Sequence, residues 1–234
     1  MPNVTRPGIL PRALAEAAGT FLLVLFAAGS VMVDERSGGL VTDLGEALSS
    51  CLIVMAMVYA VGRISGAHIN PAVTLGLLLT RRFRLRDAPA YWGAQIGGGV
   101  LAAGALRAVL GDVASVGGHR PSGDVVPSLG LEVVLTFSLM FVIMAVVANP
   151  ERIGKASGLA IGGTVFLGVL VGGPISGGSM NPARSFGPAL VGWTWTAHWV
   201  YWVGPLLGAT LGAAAYRSLR KGLARATRPR SEEL

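Results

Sequence analysis

A short phrase containing Asn-Pro-Ala occurs twice in this sequence, within residues 65–74 and again within residues 176–185. Asn followed by Pro is typical of a helix start, because the Asn side chain accepts from unpaired backbone N–H groups and Pro has no N–H to leave unpaired. Each copy follows a small, glycine-bearing stretch, and both lie within apolar sequence. We therefore predict two irregular segments that each begin a short helix and line a cavity in a membrane.

The chemistry available to this phrase is hydrogen bonding. A helix N-terminus carries a partial positive charge, and Asn70 and Asn181 would each add an amide donor beside it. The stretches before them offer backbone carbonyls as acceptors, from Gly66, Ala67, His68, Gly177, Gly178 and Ser179. Two such helix ends facing each other would favour a molecule that offers oxygen lone pairs and would oppose cations.

Two carboxylates lie inside apolar stretches. An ionised side chain is costly there, so its presence usually indicates a functional role. The two carboxylates occur in matching contexts, Glu16-x-x-x-Thr20-Phe21 and Glu132-x-x-x-Thr136-Phe137. One interpretation is that Glu16 and Glu132 carry protons in a secondary transporter. The matching positions also suit an equivalent structural role in two halves of a duplicated chain.

The elements that would position these residues belong to a membrane protein. The chain has 234 residues, 52% hydrophobic and only 13% charged, with a mean hydropathy of +0.61. A soluble domain carries about a quarter charged residues. The net charge of +7 would also suit nucleic-acid binding, but the Arg residues flank apolar segments, which indicates membrane topology instead. The single cysteine, Cys51, excludes an internal disulfide.

Six apolar segments are long enough, at about 20 residues, to cross a hydrocarbon core of about 30 Å. They lie at 10–32, 44–63, 88–109, 129–149, 157–174 and 199–217. The two Asn-Pro helices, at about 69–80 and 181–191, would each cover only about half of that core. The predicted fold is an all-α membrane protein with six transmembrane helices and two re-entrant half-helices.

Most of the 19 Lys and Arg residues fall on one side of the predicted membrane. They precede the first span, separate the second span from the third and the fourth from the fifth, and continue into a basic tail at 221–234. The positive-inside rule then places both termini and the tail in the cytoplasm. Four Trp residues between 193 and 202 cluster near the outer boundary, as an aromatic belt does.

We expect a single channel-like domain at 1–220, and an internal duplication of the sequence covers most of it. Tyr91-Trp92 returns as Tyr201-Trp202, which supports a first repeat at about 10–109 and a second at about 129–217. Because each repeat has three spans, the second enters the membrane from the opposite side, and the site is expected near the midplane between the repeats. Glycines spaced four apart, at Gly93 and Gly97 and at Gly204, Gly208 and Gly212, predict close helix contacts within the protomer.

Over residues 10–220 the sequence resembles the aquaporins of the major intrinsic protein family, as a bacterial-type member. The resemblance rests on Asn70-Pro71-Ala72, on Asn181-Pro182-Ala183-Arg184-Ser185-Phe186-Gly187-Pro188, and on Ala15-Glu16 with Gly19-Thr20-Phe21. It implies a passive channel in the cell inner (plasma) membrane, without a cofactor or enzymatic activity. It also implies a homotetramer in which each protomer has its own pore.

The resemblance assigns roles to the residues named above. The two Asn-Pro-Ala motifs would meet at the waist of the pore and break a continuous chain of hydrogen-bonded water. The preceding carbonyls would accept bonds from the passing molecule. Glu16 and Glu132 would brace the re-entrant segments by accepting from backbone N–H groups.

Selectivity in this family is set near the outer mouth by four positions, which here are Ser50, Val169, Gly178 and Arg184. A strict water channel usually has a bulky aromatic residue and a His where this chain has Ser50 and Val169. The resemblance therefore implies a wide selectivity filter in which Arg184 supplies fixed donors. The glycerol-facilitator signature is absent, because Ser185 stands where those proteins carry Asp. The expected cargo is water with small uncharged solutes, and glycerol, urea, ammonia, boric acid and arsenous acid remain unranked.

Other functions are weighed against a channel. A secondary transporter would share the inverted repeats and would use Glu16 and Glu132 at a midplane site, with flux that saturates or depends on an ion gradient. An enzyme would need a nucleophile and a base, and no Ser here has a His partner by motif. We expect no metal site, since His68 lacks partners at ligand spacing, and we expect His119 and His198 in loops or at an interface.

Overall fold

Helices make up the regular structure of the part of the chain described by the computed structural model, residues 7–226. Eight helices of nine residues or more lie within it: α1 (Ile9–Ser37), α2 (Thr42–Val61), α3 (Pro71–Leu79), α4 (Ala88–Leu110), α5 (Val125–Ala148), α6 (Ser157–Ser176), α7 (Pro182–Val191) and α8 (Val200–Ala226). Residues 7–226 contain no strand. The predicted all-α class is confirmed.

The long helices correspond to the predicted spans. Within the described part of the chain, five stretches are long and apolar enough to cross a membrane: α1, α2, Leu85–Leu110, α5 and Gly154–Ser176. The last predicted span, 199–217, lies mostly within α8, a helix of 27 residues. Of the predicted tail, residues 221–226 continue α8, and residues 227–234 lie outside the described part.

The two halves of the chain are interlocked by their short helices. Within each half, α1 packs on α4 and α5 packs on α8. The short helix α7 of the second half packs against α4 of the first, whereas α3 of the first half packs against α8 of the second. The middle helices α2 and α6 pack against each other. This exchange agrees with the inverted repeat and brings the N-termini of α3 and α7 together in the interior.

Glycine permits the closest of these helix contacts. A Cβ at Gly208 of α8 would lie 2.4 Å from the Val133 carbonyl oxygen of α5, and a Cβ at Gly187 of α7 would lie 2.4 Å from the Gly99 carbonyl oxygen of α4. Any side chain at these positions would push the helices apart. The glycine ladder predicted on α8 therefore does pack within the protomer.

The prediction that Gly93 and Gly97 make a helix contact within the protomer is wrong. A Cβ at either position would meet no atom of the described chain within 4 Å. The face of α4 that meets α1 instead carries Gly98, where a Cβ would lie 2.3 Å from the Ala17 carbonyl oxygen. A spacing of four residues identifies a face of a helix but does not say what lies against it.

Candidate functional site: an interior cavity between two half-helices

Each short helix begins at the Pro of its motif, and the preceding Asn caps it. The Asn70 Oδ1 accepts from the Ala72 N–H at 2.8 Å, and the Asn181 Oδ1 accepts from the Ala183 N–H at 3.0 Å. Both Asn residues are extended, with φ of −158° and −149°, which is the usual backbone geometry of an N-cap. The amide nitrogen of each Asn is left for other partners.

The two Asn residues are joined to the opposite half by reciprocal hydrogen bonds. The Asn70 Nδ2 donates to the Met180 carbonyl at 2.7 Å, and the Asn181 Nδ2 donates to the Ile69 carbonyl at 2.9 Å. Both accepting residues have left-handed backbones, with φ of 42° at Ile69 and 52° at Met180. Each amide has two N–H groups, so one remains on each Asn for the cavity that both side chains line.

Glu132 holds the segment before α7. Its carboxylate accepts from the Ser179 N–H, the Met180 N–H and the Ser176 hydroxyl, each at 2.8 Å. The side chain has no exposed surface. An ionised carboxylate is tolerable at this depth because three donors, two of them backbone N–H groups, converge on its oxygens.

Glu16 holds the segment before α3 in the same way. Its carboxylate accepts from the His68 N–H at 2.9 Å, the Ile69 N–H at 2.6 Å and the Gln95 side-chain amide at 2.8 Å. Glu16 also has no exposed surface. In both halves the carboxylate therefore fixes the two residues that precede the capping Asn.

A matching pair of Tyr hydroxyls supports the same segments. Tyr91 donates to the Ser65 carbonyl at 2.6 Å, and Tyr201 donates to the Ser176 carbonyl at 2.6 Å. Both Tyr side chains are fully buried. Sequence reasoning used Tyr91 and Tyr201 only as markers of the duplication. Their recurrence at matching positions before Trp was the signal that they share a role.

A cavity of about 1070 Å³ runs alongside the two capping Asn residues and the segments that precede them. It follows α2 from Glu46 to the C-cap residue Gly62, a rise of about 24 Å at 1.5 Å per residue, which is most of a hydrocarbon core. Arg120 also lines it on the Glu46 side, and Arg63 and Lys155 line it on the opposite side. The cavity therefore has charged residues at both ends, with the two Asn side chains in its wall between them.

The predicted site residues are brought together around this cavity, with few exceptions. Those that line it are Ser50, Gly66, Ala67, His68, Asn70, Val169, Gly177, Gly178, Ser179, Asn181 and Arg184. The Pro and Ala residues of the motifs are buried behind the Asn residues, and Ala72 and Ala183 have no exposed surface. Small residues there allow the helix N-termini to approach the cavity wall.

Arg184 is held beside the cavity by backbone carbonyls. Its Nη1 donates to the Gly117 carbonyl at 2.8 Å, and its Nη2 donates to the Ala27 carbonyl at 3.2 Å. Gly117 has φ of 65°, and a Cβ there would lie 2.4 Å from the Ala28 carbonyl oxygen. Only glycine therefore lets the loop before α5 reach Arg184. Sequence reasoning missed Gly117, since nothing local marks it as part of the site.

Three further residues predicted to lie near Arg184 are small residues of the cavity wall. Ser50 of α2 and Val169 of α6 both line the cavity. Gly178 has φ of 62°, and a Cβ there would lie 3.0 Å from both the Gly168 carbonyl oxygen and the Val169 Cα. Gly178 is therefore constrained both by its left-handed backbone and by the closeness of α6.

Comparison with known proteins decides the family. A profile described as "Major intrinsic protein" matches residues 3–216. The chain belongs to the major intrinsic protein family. It is a membrane protein and a channel for water and small solutes.

Relatives of this channel are similar over most of its length. The rice protein "Aquaporin NIP1-1" is 49% identical over 212 residues, which cover 90% of this chain and 75% of the relative. The maize protein "Aquaporin NIP2-1" is 40% identical over 218 residues, which cover 93% of this chain and 74% of the relative. The "X-ray structure of the aquaglyceroporin from Plasmodium falciparum" has a similar fold, with a TM-score of 0.83 at 22% identity over 94% of this chain and 100% of that one.

One buried ion pair of the channel has no counterpart in the sequence-based interpretation. The positive-inside rule treats the Arg residues at the start of the first span, Arg12 among them, only as cytoplasmic charges, yet the Arg12 side chain is 5% exposed and its Nη1 lies 2.9 Å from the Asp87 Oδ2. Its Nε also donates to the Tyr91 hydroxyl at 3.0 Å. Arg12 therefore connects the start of α1 to the Tyr that supports the first re-entrant segment.

Two histidines lie beside the second re-entrant segment. The His119 Nδ1 lies 2.8 Å from the Ser185 Oγ, and the His198 Nε2 accepts from the Trp202 indole at 3.2 Å. Burial, together with the Arg184 guanidinium, holds the pKa of His119 well below its usual range. Burial also lowers the pKa of His198. Among residues 7–226, no group of three His, Cys, Asp or Glu side chains could hold a metal ion.

Proposed function

We propose that the cavity is the pore and that it conducts water and small uncharged solutes passively in both directions while excluding ions and protons. The observation that carries this proposal is the reciprocal pairing of Asn70 and Asn181 at the facing N-termini of α3 and α7. It leaves one amide donor from each Asn at the same level of the pore. The two helix N-termini add positive potential at that level.

This geometry would separate neutral solutes from charged ones. A water molecule at the waist would offer both lone pairs to the two Asn donors, so it could not pass a proton along a continuous chain. A cation would meet two positive helix ends and then Arg184. The carbonyls of the re-entrant segments, including those of Gly66 and Gly177, would replace part of the hydration lost by a neutral solute on entry.

The solute range is proposed from the small residues near Arg184. Small side chains at Ser50, Val169 and Gly178 favour an opening wider than a single water molecule needs. We therefore include glycerol, urea, ammonia, boric acid and arsenous acid among the candidate solutes. The relatives called aquaporins and the structural neighbour called an aquaglyceroporin are compatible with this range.

A secondary transporter that uses Glu16 and Glu132 is the second candidate. The accepted hydrogen bonds of both carboxylates oppose it, since each carboxylate already has three donors and no exposed surface. A proton carrier must exchange its proton with the two sides in turn. A transporter would also show saturable flux or dependence on an ion gradient.

Osmotic swelling of proteoliposomes that contain the full chain tests the channel. Water permeability is measured with an impermeant osmolyte, and each candidate solute is then used as the osmolyte. We expect water and at least some of these solutes to enter faster than in empty liposomes. Solute entry no faster than in empty liposomes, with fast water entry, would refute the wide filter. The double variant Ser50→Phe/Val169→His should slow solutes more than water.

We further propose a homotetramer in the plasma membrane, with both termini in the cytoplasm and no enzymatic activity. The outward-facing Gly93 and Gly97 of α4 would let a neighbouring protomer approach closely. Arg82, Arg217, Arg220 and Lys221 line one small cleft, which would lie on the cytoplasmic side under the positive-inside rule. Native mass spectrometry tests the tetramer, and protease protection of a C-terminal tag in sealed inverted vesicles tests the topology.

A further inference from the structure

Glu46 is an acidic residue in the wall of the cavity that neither sequence reasoning nor the proposed mechanism uses. It lies on α2 one turn before Ser50, and residues Glu46, Ser50, Val54 and Val58 all line the cavity. This spacing of four places them along one face of the helix. The face that carries the small filter residue therefore carries a carboxylate at its outer end.

Within residues 7–226 the Glu46 carboxylate accepts no hydrogen bond and forms no ion pair. The Glu46 side chain is nevertheless half-buried. The nearby Asp34 differs, because its Oδ1 accepts from the Thr42 N–H at 2.7 Å. A partly buried carboxylate without donors is costly unless water or a solute supplies them.

Arg184 is the basic group that acts on Glu46. The two side chains line the same cavity and interact electrostatically, but no ion pair within 4 Å joins them. The Nη atoms of Arg184 are directed to the Gly117 and Ala27 carbonyls, which prevents the guanidinium from swinging across to Glu46. A fixed cation and a carboxylate without an ion-pair partner among residues 7–226 therefore line the same lumen.

We propose that Glu46 and Arg184 form a solute-binding subsite at the outer end of the pore, selective for small neutral solutes that carry both O–H or N–H donors and an oxygen acceptor. The subsite rests on the channel function proposed above. A hydroxyl or amide of the solute donates to Glu46 while an oxygen of the same solute accepts from Arg184. The two opposite charges largely cancel for a solute that reaches both groups, so the pair favours polar molecules without net charge.

The size of the filter decides whether this subsite can be reached. Ser50 lies directly below Glu46 on α2, and a bulky aromatic residue there would cover the carboxylate. With Ser50 and Gly178, a solute of several heavy atoms can contact both charged groups at once. Water spans the gap less well because it is shorter, so Glu46 should matter more for polyols than for water.

The test compares glycerol and water permeability in proteoliposomes containing the full chain with Glu46→Gln. Gln keeps the shape but removes the charge, and we expect the glycerol permeability to fall by about tenfold, the loss expected for a hydrogen bond to a charged group, with water permeability retained. Glu46→Asp keeps the carboxylate and should retain more glycerol flux than Glu46→Gln. The exposed Glu35→Gln is the matched control, since it removes the same charge near the outer end of α1 without lining the cavity.

The outcomes separate the subsite from the channel. Wild-type water entry no faster than in empty liposomes would overturn the channel itself. If the wild type conducts water but Glu46→Gln has the same ratio of glycerol to water permeability as the wild type, the subsite alone is overturned. An equal loss of glycerol and water permeability in Glu46→Gln would also overturn the subsite. Circular dichroism and gel filtration confirm folding, and Glu46→Ala provides a second variant if Glu46→Gln does not fold.

Discussion

Replacing Glu132 by Gln removes one acceptor from the second re-entrant segment. The carboxylate Oε1 accepts from the Ser179 N–H and the Ser176 hydroxyl, whereas Oε2 accepts from the Met180 N–H. A Gln side chain has the same shape but only one acceptor oxygen. If that oxygen stays with Ser179 and Ser176, the new NH2 group faces the Met180 N–H, which then has no acceptor.

The expected cost follows from counting the donors. One buried N–H without an acceptor costs about 1–3 kcal/mol, so Glu132→Gln should fold with reduced stability. Glu132→Ala leaves the Ser179 and Met180 N–H groups unpaired, while the Ser176 hydroxyl retains the Gly172 carbonyl at 3.5 Å. The loss of the two N–H acceptors would cost roughly 2–6 kcal/mol, a large part of the stability of a typical domain. Because the Met180 carbonyl accepts from the Asn70 Nδ2 at 2.7 Å, a shift at Met180 should also lower water permeability.

Thermal unfolding in detergent, followed by Trp fluorescence, measures the stability, and stopped-flow shrinkage of proteoliposomes measures the water flux. The order of unfolding temperatures should be wild type, then Glu132→Gln, then Glu132→Ala. The exposed Glu35→Gln should match wild type. An unfolding temperature of Glu132→Ala equal to that of wild type would refute the bracing role. Solute uptake that needs a proton gradient in wild type and loses that dependence in Glu132→Gln would favour a transporter.

Three further predictions concern other parts of the site. Gly178→Ala should cost about 1–2 kcal/mol, because φ is 62° there and the added Cβ would lie 3.0 Å from the α6 backbone; wild-type stability in thermal unfolding would contradict this. Arg12→Met should cost about 3–5 kcal/mol by removing the buried Arg partner of the Asp87 carboxylate, and adding Asp87→Asn should recover part of that loss in denaturation experiments. Folding lowers the pKa values of His119 and His198, so the unfolded chain binds protons more readily than the folded protein. The unfolding temperature should therefore fall as the pH drops below about 6.5. The variant with Gln at both positions should lose most of that dependence on pH.

Local chemistry explains which features could be predicted. An Asn-Pro helix start can be recognised from adjacent residues, and both short helices begin at the predicted Pro. The spans follow from the length of apolar segments, and the inverted repeat follows from counting three spans in each half. The fold class and the family could therefore be predicted from the sequence.

Partners far apart in the chain could not be predicted in the same way. Arg12 follows the pattern of a cytoplasmic charge, but the packing of α1 against α4 buries it against Asp87. Gly93 and Gly97 have the spacing of a helix contact, but they lie on the outer face of α4. Spacing along one helix gives a face, and only the packing of the other helices decides what that face meets.

The sequence by itself determined two capped half-helices, six apolar spans and two carboxylates within apolar helices. Tertiary structure alone decided that Asn70 and Asn181 bond across to the opposite half, because those bonds join residues more than a hundred positions apart. It also decided that Arg184 is held by the Gly117 and Ala27 carbonyls. Local preferences depend on neighbouring residues, whereas the direction of each donor toward the cavity depends on how the two repeats pack together.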